Sequence, residues 1–313
     1  MAQTKNEEII NEKKSVFSQT WALILFALIS CALWGSAFPG VKIGYEMFCI
    51  DSVGSRILFA GYRFTAAGII TLIIVSVIEG RFVTIKKASV PFVFAQGLLQ
   101  TTVQYVCFYI GLANTTGVKG SVIDGTGGFF AIIAAHFMMK NEKISVRKIM
   151  GCVIGFAGVI AVNFENGGLS GGFALNGECL VLLSSIAYGI ASVTQKILAS
   201  RETPNAITAY QFIFGGVVMI IIGFGLGGHL EGFNLKSIAL FGYLVLISTA
   251  AFTLWANLIK HNPVGKVAIF GFTIPVFGSV FSAIFLNESF FTLNNVLALI
   301  LVCVGIVIVN YRE

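Results

Sequence analysis

The chain is poor in charged residues for its length. Only 11% of its 313 residues are charged, whereas soluble domains contain about 25%. A soluble protein of this size could not cover its surface with so few charges. The composition therefore excludes a soluble globular enzyme, a disordered chain and a nucleic-acid-binding protein. The formal net charge of +6 is interpreted as a topology signal instead.

Several chemical motifs are also missing. The six cysteines include no pair at CxxC spacing, and the three histidines are scattered. These patterns give no zinc site and no disulfide framework. The sequence contains no GxxxxGK[ST] loop and no HExxH motif, so neither ATP coupling nor a zinc-dependent membrane enzyme is indicated. We expect no metal and no cofactor.

Long apolar runs are what the chain does have, since 57% of its residues are hydrophobic. A helix needs about 20 apolar residues to cross a bilayer. Ten segments qualify or nearly qualify, and the runs are continuous rather than alternating, which favours helices over barrel strands. The sequence therefore predicts an all-α integral membrane protein with ten transmembrane helices. These spans 1 to 10 are predicted at 21–43, 57–78, 90–112, 118–139, 147–163, 173–198, 206–227, 237–259, 264–286 and 291–310.

The basic residues orient these spans. With the N-terminus in the cytoplasm, fourteen Lys and Arg residues fall on the inner side and three, Arg56, Lys119 and Lys236, on the outer side. Positive charge is enriched on the cytoplasmic side of membrane proteins. The distribution predicts a multi-pass protein of the cytoplasmic membrane with both termini inside.

The two halves of the chain resemble each other. Residues 112–142 align with 258–288 at a constant offset of 146, with the identities Gly125/Gly271 and Glu142/Glu288 among others. Trp34-Gly35 with Lys42 matches Tyr188-Gly189 with Lys196. We predict a cytoplasmic tail at 1–20 and two five-helix repeats at 21–164 and 173–311. Five is odd, so the second repeat crosses the membrane in the opposite sense, an architecture common in secondary transporters.

These segments resemble a known group of proteins. The matching features are Trp34-Gly-Ser-Ala-Phe38 with Lys42, the Arg63-Phe64 pair, and Pro275 followed by Asn287-Glu288 and Gly305-Ile-Val-Ile-Val309. With them the chain resembles a ten-helix member of the drug/metabolite transporter superfamily with two EamA domains. The resemblance covers essentially the whole chain after about residue 20.

The resemblance implies a central cavity lined by spans 1–4 and 6–9, with spans 5 and 10 at the periphery. It is specific for fold and for transport but not for the substrate, because the family moves amino acids, other metabolites and drugs. One feature departs from the family pattern. The usual proline of span 4 is absent, and Phe129 aligns with Pro275. Asp124-Gly-Thr-Gly-Gly128 stands there instead, so glycine supplies the flexibility.

Two opposite charges within the predicted spans are candidate functional residues. Arg63 and Asp124 each lie about seven residues from the outer end of their span. A charge in hydrocarbon is costly and marks a functional hypothesis. The two could form a salt bridge that only locks spans 2 and 4 together. Alternatively, they form a gate or a pair that reads a zwitterion, and protonation of Asp124 couples proton movement to transport.

Other polar residues repeat at regular positions. Lys42 and Lys196 occupy equivalent repeat positions near opposite membrane faces; they either snorkel or act as opposite gates. On span 3, Gln96, Gln100 and Gln104 recur every four residues and share one helix face. This stripe either lines the cavity or makes hydrogen bonds between helices.

Aromatic, proline and glycine residues complete the candidate site. Trp34, Phe38, Tyr188 and Trp255 either form apolar cavity walls or are packing residues. Candidate hinges are Pro39, Gly40, Gly127, Gly128 and Pro275, because proline frees a backbone carbonyl within a helix. A static kink is the alternative at the prolines.

These features favour a secondary active or facilitative transporter, an exporter of small metabolites such as amino acids, working by alternating access. In-membrane cations outnumber the acids, which suggests a cavity that accepts carboxylates. Efflux of cationic or lipophilic drugs is the alternative, and a channel or a membrane enzyme is more distant. We expect a small-molecule substrate, the lipid bilayer and protons as partners, and no nucleic acid.

Overall fold

The computed structural model describes residues 15–163 and 174–286, together with isolated helical residues between 296 and 308. Every regular element in these ranges is helical. The prediction of an all-α fold is therefore confirmed for the described part of the chain. Predicted span 10 and Glu288 lie largely or wholly outside the described residues.

Twelve α-helices, numbered in chain order, make up the described fold. They are α1 Thr20–Met47, α2 Val53–Glu79, α3 Val90–Gln96, α4 Gln104–Ala113, α5 Gly117–Asp124, α6 Gly127–Met138, α7 Val146–Asn163, α8 Glu178–Leu198, α9 Pro204–Gly225, α10 Leu235–His261, α11 Val264–Ala268 and α12 Ile274–Leu286. A π-helical segment, Gly97–Val103, joins α3 to α4. A 3-10 segment, Ile269–Thr273, joins α11 to α12.

Six of the described segments are long and apolar enough to cross a membrane. They are α1, α2, α8, α9, α10 and the composite segment Val264–Leu286. They coincide with predicted spans 1, 2 and 6 to 9. Predicted spans 3, 4 and 5 are helical too, as α3–α4, α5–α6 and α7. Their individual helices are shorter, so the total of ten spans stays a prediction.

Local sequence signals explain where the long helices begin. Ser52 caps α2 by accepting a hydrogen bond from the Ser55 amide, and Asn234 with Ser237 forms a capping box on α10. Thr203 caps α9, and Pro204 follows it in the first turn, where proline is tolerated. Each cap satisfies backbone donors that the first helical turn leaves unpaired.

Predicted spans 4 and 9 are not continuous helices. Span 4 breaks between α5 and α6 at Gly125 and Thr126, and span 9 passes through the 3-10 segment before Pro275. At the first break, the Thr126 hydroxyl donates to the Ile123 carbonyl (2.6 Å). At the second, the Thr273 hydroxyl donates to the Phe270 carbonyl (2.7 Å). These hydroxyls satisfy carbonyl groups at the breaks, as a backbone at membrane depth requires.

The helices pack in pairs that match between the two halves. Helix α1 packs against α10 and α12, and α8 packs against α4 and α6. Helix α2 packs along α9. Glycines allow close contact: a Cβ on Gly35 of α1 would lie 2.5 Å from the Phe277 Cβ, and one on Gly189 of α8 would lie 2.6 Å from the Phe130 Cβ. Equivalent glycines thus make equivalent helix crossings.

Candidate functional site

A small cavity lies at the centre of the bundle, between both helix breaks. Its volume is about 40 Å³, which is room for a few water molecules but not for an amino acid. Seven of the sequence-predicted residues line it: Trp34, Phe38, Arg63, Gln104, Asp124, Gly128 and Tyr188. The structure therefore brings together predicted residues from spans 1 to 4 and 6.

Arg63 is held by three hydrogen bonds on the wall of this cavity. Its Nε donates to the Leu244 carbonyl and to the Ser248 hydroxyl (3.0 Å each), and Nη1 donates to the Tyr109 hydroxyl (2.8 Å). The side chain is only 2% exposed. Nη2 makes no hydrogen bond to any residue that the structure describes, so this nitrogen is available to a ligand. The neutral partners leave the positive charge uncompensated.

Asp124 ends α5, immediately before the break in span 4. It lines the same cavity as Arg63 and is half-buried. However, within the described parts of the chain no hydrogen bond or ion pair reaches its carboxylate. Among the described residues no ion pair joins Arg63 and Asp124, and Tyr109 and α10 bind the guanidinium instead.

Three further polar atoms, on residues that line the cavity, have no hydrogen-bond partner among the residues that the structure describes. They are the Trp34 Nε1, the Gln104 Oε1 and the Tyr188 hydroxyl, all buried. A buried polar group without a partner costs about 1–3 kcal/mol. Residues of the cavity wall therefore carry a buried donor, a buried acceptor and a buried hydroxyl in addition to the two charges. A polar ligand that satisfied them would recover this free energy.

Aromatic rings surround these polar atoms. Trp34 makes edge contacts with Tyr188 (6.2 Å between ring centroids), Phe252 (5.0 Å) and Trp255 (5.0 Å). Trp255 is not among the residues that line the cavity; it packs behind Trp34. Trp255 thus supports the wall rather than forming it.

The glutamine stripe is divided between two roles. Gln96 donates to Gln100 (2.8 Å) and to the Ala191 carbonyl of α8 (2.9 Å). Gln100 is buried beside it and does not line the cavity, whereas Gln104 does. The assignment of Gln100 to the binding site is therefore not supported in this conformation. The π-helical segment Gly97–Val103 lies between Gln96 and Gln104 and includes Gln100. Its wider turn changes the direction in which successive side chains point.

The two lysines bind backbone carbonyls away from the cavity. The Lys42 ammonium donates to the Thr115 carbonyl (2.7 Å), next to α5. The Lys196 ammonium donates to the Asn262 carbonyl, next to α11, and pairs with Glu142 (3.0 Å). Lysines at equivalent repeat positions therefore donate hydrogen bonds to equivalent loops, one before span 4 and one before span 9.

Glu142 connects three parts of the chain at the predicted inner end. In addition to pairing with Lys196, its carboxylate accepts hydrogen bonds from the Val264 amide (2.9 Å) and the Gly265 amide (3.3 Å). These amides form the first turn of α11, where a negative charge is favoured by the helix dipole. We call this cluster of Glu142, Lys196, Val264 and Gly265 the inner lock. Its role was not predicted from the sequence, where Glu142 was noted only as a repeat identity with Glu288.

The predicted hinge residues lie at different kinds of position. Pro39 and Gly40 fall inside the continuous helix α1, while Pro275 follows the 3-10 segment in the first turn of α12. Gly127 and Gly128 begin α6. A Cβ on Gly128 would lie 2.3 Å from the Ala268 carbonyl oxygen, so the two broken spans cross with their backbones almost touching. Hinge motion at any of these positions stays a prediction.

Sequence reasoning missed several residues of the cavity and its support. Tyr105, Phe108, Phe252 and Ile274 line the cavity, and Tyr109 and Ser248 position Arg63. Tyr109 and Ser248 stand in apolar spans, so matching their depth to Arg63 could have found them. Among the described residues, no group of three or more His, Cys, Asp or Glu side chains could hold a metal ion.

Comparison with known proteins supplies an independent test. A family model described as the EamA-like transporter family matches residues 21–164 and 175–311. An uncharacterized transporter of Archaeoglobus fulgidus is 28% identical over 286 residues, covering 90% of this chain and 96% of that protein. The uncharacterized transporter YvbV of Bacillus subtilis is 26% identical over 303 residues, covering 95% and 93%. A solved crystal structure matches with a TM-score of 0.75 at 14% identity, covering 93% of this chain and 97% of that one, and so shares its fold.

Proposed function

Because the chain belongs to the EamA-like transporter family and is a membrane transporter rather than an enzyme, we propose that it exports small zwitterionic metabolites such as amino acids. The observation that carries this proposal is the composition of the central cavity. Within the described ranges, one wall holds a cation with an unused N–H, another holds a carboxylate without a partner, and no bond joins the two charges. A zwitterion has the complementary pair of charges.

The polar atoms of the cavity suggest how such a substrate would bind. Arg63 Nη2 and Trp34 Nε1 are donors suited to a carboxylate. The Asp124 carboxylate and the Gln104 Oε1 are acceptors suited to an ammonium group. The rings of Phe38, Phe108 and Phe252 leave an apolar surface for the remainder of a small metabolite. Protonation of Asp124 would release the ammonium group and couple transport to protons.

We further propose that transport uses alternating access between two inverted repeats. The matched helix pairs and the similar breaks in spans 4 and 9 support this arrangement, because discontinuous helices at the repeat interface are typical of secondary transporters. The inner lock closes the predicted cytoplasmic end. At the predicted outer end, Lys42 holds the Thr115 carbonyl, and the Thr115 hydroxyl donates to Glu178 (2.9 Å). The small cavity is consistent with closure at both ends.

We also propose that the protein lies in the cytoplasmic membrane with both termini inside, because the distribution of basic residues favours this orientation. Outward movement of substrate then requires the inner lock to open first, so that a metabolite enters from the cytoplasm. Breaking the Glu142–Lys196 pair would separate the loop after α6 from α8 and α11.

Efflux of cationic or lipophilic drugs is the second candidate function. The free Asp124 carboxylate and the aromatic walls favour it, because a cation binds both an acid and a ring face. The uncompensated Arg63 charge opposes it by repelling a cation. The two functions differ in whether the ligand needs a carboxylate.

A thermal-shift screen of the purified protein can separate these functions. Amino acids, the corresponding amines without the carboxylate, and sugar phosphates would be tested at equal concentration. A ligand that binds the folded protein raises its melting temperature. We expect amino acids to do so and the matched amines not to do so; a shift with amines alone would overturn the zwitterion proposal in favour of drug efflux.

Proteoliposomes loaded with a hit from this screen would test the transport mechanism. Alternating access predicts saturation with substrate concentration and stimulation of labelled-substrate uptake by unlabelled substrate on the opposite side. Linear flux without counterflow would instead indicate a channel. Inside-out vesicles that accumulate substrate, with right-side-out vesicles as the control, would establish export.

A further inference from the structure

An open polar pocket of about 440 Å³ lies at the end of the bundle, remote from the central cavity. It is formed where α2, α8 and α10 end and α9 begins. The loop between α2 and α3 lies over the loop between α8 and α9 there. This is the cytoplasmic end in the topology predicted from the basic residues.

Hydrogen bonds between these two loops build the pocket. The Lys86 amide donates to Glu202 Oε1 (3.0 Å), and the Lys86 ammonium donates to the Arg201 carbonyl (3.0 Å). The Tyr210 hydroxyl of α9 donates to the Val83 carbonyl (3.0 Å). The loops therefore hold one another in a defined shape.

The charge of the pocket is unbalanced. Arg81, Lys86, Arg201 and Lys260 line it together with the acids Glu79 and Glu202. Both acids are engaged, since Glu79 pairs with Arg81 (2.9 Å) and Glu202 accepts from the Lys86 amide. The pocket therefore carries an excess of positive charge.

Two of its cations are without an anionic partner. The Arg201 guanidinium lies over the Phe92 ring, 5.1 Å from its centroid, and makes no hydrogen bond to the described residues. Lys260 likewise has no ion pair within the ranges that the structure describes. Stacking on Phe92 fixes the guanidinium while leaving its N–H groups open to an anion.

Exposed apolar residues flank the pocket residues Glu79 and Arg81 along the chain. Val77 and Ile78, at the end of α2, are 75% and 77% exposed, and Phe82 in the following loop is 69% exposed. Side chains of this kind on a membrane protein face lipid chains. A ligand that combined a phosphate with acyl chains would fit both surfaces, whereas a soluble phosphate would use only the pocket.

We propose that this pocket binds the headgroup of an anionic phospholipid, with Arg201 and Lys260 contacting its phosphate and the acyl chains lying along the end of α2. Basic pockets between transmembrane helices on the cytoplasmic side are suited to such headgroups. The site is independent of the transported substrate, so a test of lipid binding does not depend on whether the proposed export function is correct.

The test compares lipids that differ only in headgroup. The full chain, delipidated in detergent, receives phosphatidylglycerol or phosphatidylcholine with the same acyl chains, and bound lipid is counted by native mass spectrometry alongside the melting temperature. We expect phosphatidylglycerol to be retained and to stabilise, and phosphatidylcholine to do neither. Removing two cations near an anionic lipid should weaken phosphatidylglycerol binding about thirtyfold in the double variant Arg201→Gln/Lys260→Gln.

A matched control removes the same charge elsewhere. Lys140→Gln/Lys143→Gln changes two exposed lysines on the same predicted side but outside the pocket, and it should bind phosphatidylglycerol as the wild type does. Equal binding by the two double variants, or equal retention of phosphatidylcholine, would overturn the proposal. Stabilisation by inorganic phosphate alone to the same extent would also overturn it, in favour of a soluble anion.

Discussion

Helices α2 and α9 occupy equivalent places in the two halves, but a charged residue of α2 has an uncharged counterpart in α9. A Cβ on Gly68 would lie 2.7 Å from the Ala209 carbonyl oxygen and 2.8 Å from the Ile213 amide. A Cβ on Gly216 would lie 3.0 Å from the Gly61 carbonyl oxygen and 2.6 Å from the Thr65 amide. These contacts correspond at a constant offset of 148 residues.

The same offset aligns Arg63 with Gln211, each between a tyrosine and a phenylalanine. Arg63 makes three hydrogen bonds, but the Gln211 Oε1 is buried and has no partner in the described part of the chain. The helix contacts are thus shared by the halves, while the charge and its hydrogen bonds occur at only one of the two equivalent positions.

The two helix breaks differ in the same way. The hydroxyl contacts of Thr126 and Thr273 correspond at an offset of 147, which aligns Asp124 with Gly271. The offset of 146 from the sequence aligns it with Phe270 instead. Neither counterpart is acidic, so the acid is not needed to form the break. In the proposed function, the first half therefore supplies both charges that bind the ligand.

The largest effect is expected from Arg63→Gln, which makes α2 like α9 at this position. The glutamine has fewer N–H groups to donate to the Leu244 carbonyl, the Ser248 hydroxyl and the Tyr109 hydroxyl. Each of these buried groups that loses its donor lowers the folding stability by about 1–3 kcal/mol. We expect transport to fall more than tenfold and the melting temperature to drop. Proteoliposome flux and thermal unfolding would measure these effects.

Arg56→Gln is the control for Arg63, because Arg56 lies on the same helix near its outer end and donates to the Asp51 carbonyl. It should retain transport. Wild-type flux and melting temperature in Arg63→Gln would show that the difference between α2 and α9 has no functional consequence.

A smaller overall effect is expected from Asp124→Asn, which removes the charge that distinguishes the first break. Transport should fall more than tenfold and lose its dependence on pH, because the carboxylate is the proposed proton and ammonium site. Stability should change little, since no described hydrogen bond reaches this carboxylate. Flux measured across a pH series provides the test, with Asp51→Asn at an exposed position as the control. Unchanged flux and an unchanged pH profile would remove Asp124 from the mechanism.

Glu142→Gln should have a moderate effect by weakening the inner lock. The substitution keeps the shape but removes the charge that binds Lys196 and the first turn of α11. Hydrogen bonds to charged groups contribute about 1.5–3 kcal/mol, so we expect a lower melting temperature and faster labelling of a cysteine placed on the inner face of α11. Glu142→Gln and Lys196→Met should be non-additive when combined; full additivity would mean that the pair does not act together.

Gln211→Leu should have the smallest effect. The substitution removes a buried oxygen that has no partner, and leucine has a similar volume, so stability should stay the same or rise slightly. Transport should remain within about twofold of the wild type. The melting temperature and flux of this variant would be compared with those of Arg63→Gln. The comparison would show whether positions 63 and 211 differ in importance, as their hydrogen bonds indicate. A large loss of transport would assign Gln211 a role in another conformation.

The sequence was sufficient for much of the fold because apolar runs and membrane thickness fix the long helices. It also identified Trp34, Arg63, Asp124 and Tyr188, which do line one cavity. Polar residues in apolar spans are costly unless they face protein or a cavity. This rule can be applied to a sequence without knowing which residues are in contact.

The remaining features depend on neighbours that periodicity does not reveal. A repeat of four residues places Gln96, Gln100 and Gln104 on one face only if the helix is regular, and the π-helical segment breaks that condition. Matching depth placed Arg63 near Asp124 but could not show that Tyr109 and α10 take the guanidinium. The capping of α11 by Glu142 joins residues more than a hundred positions apart.

The close fit of α2 against α9 has a consequence for motion. The two helices approach each other at Gly61, Gly68 and Gly223, over several turns, whereas α1 meets α12 this closely at Gly35. In the proposed cycle the contact between α2 and α9 would stay fixed as a rotation axis, and the other helices would rotate about it. An engineered disulfide between α2 and α9 should therefore leave transport active. A disulfide between α1 and α12 should block transport.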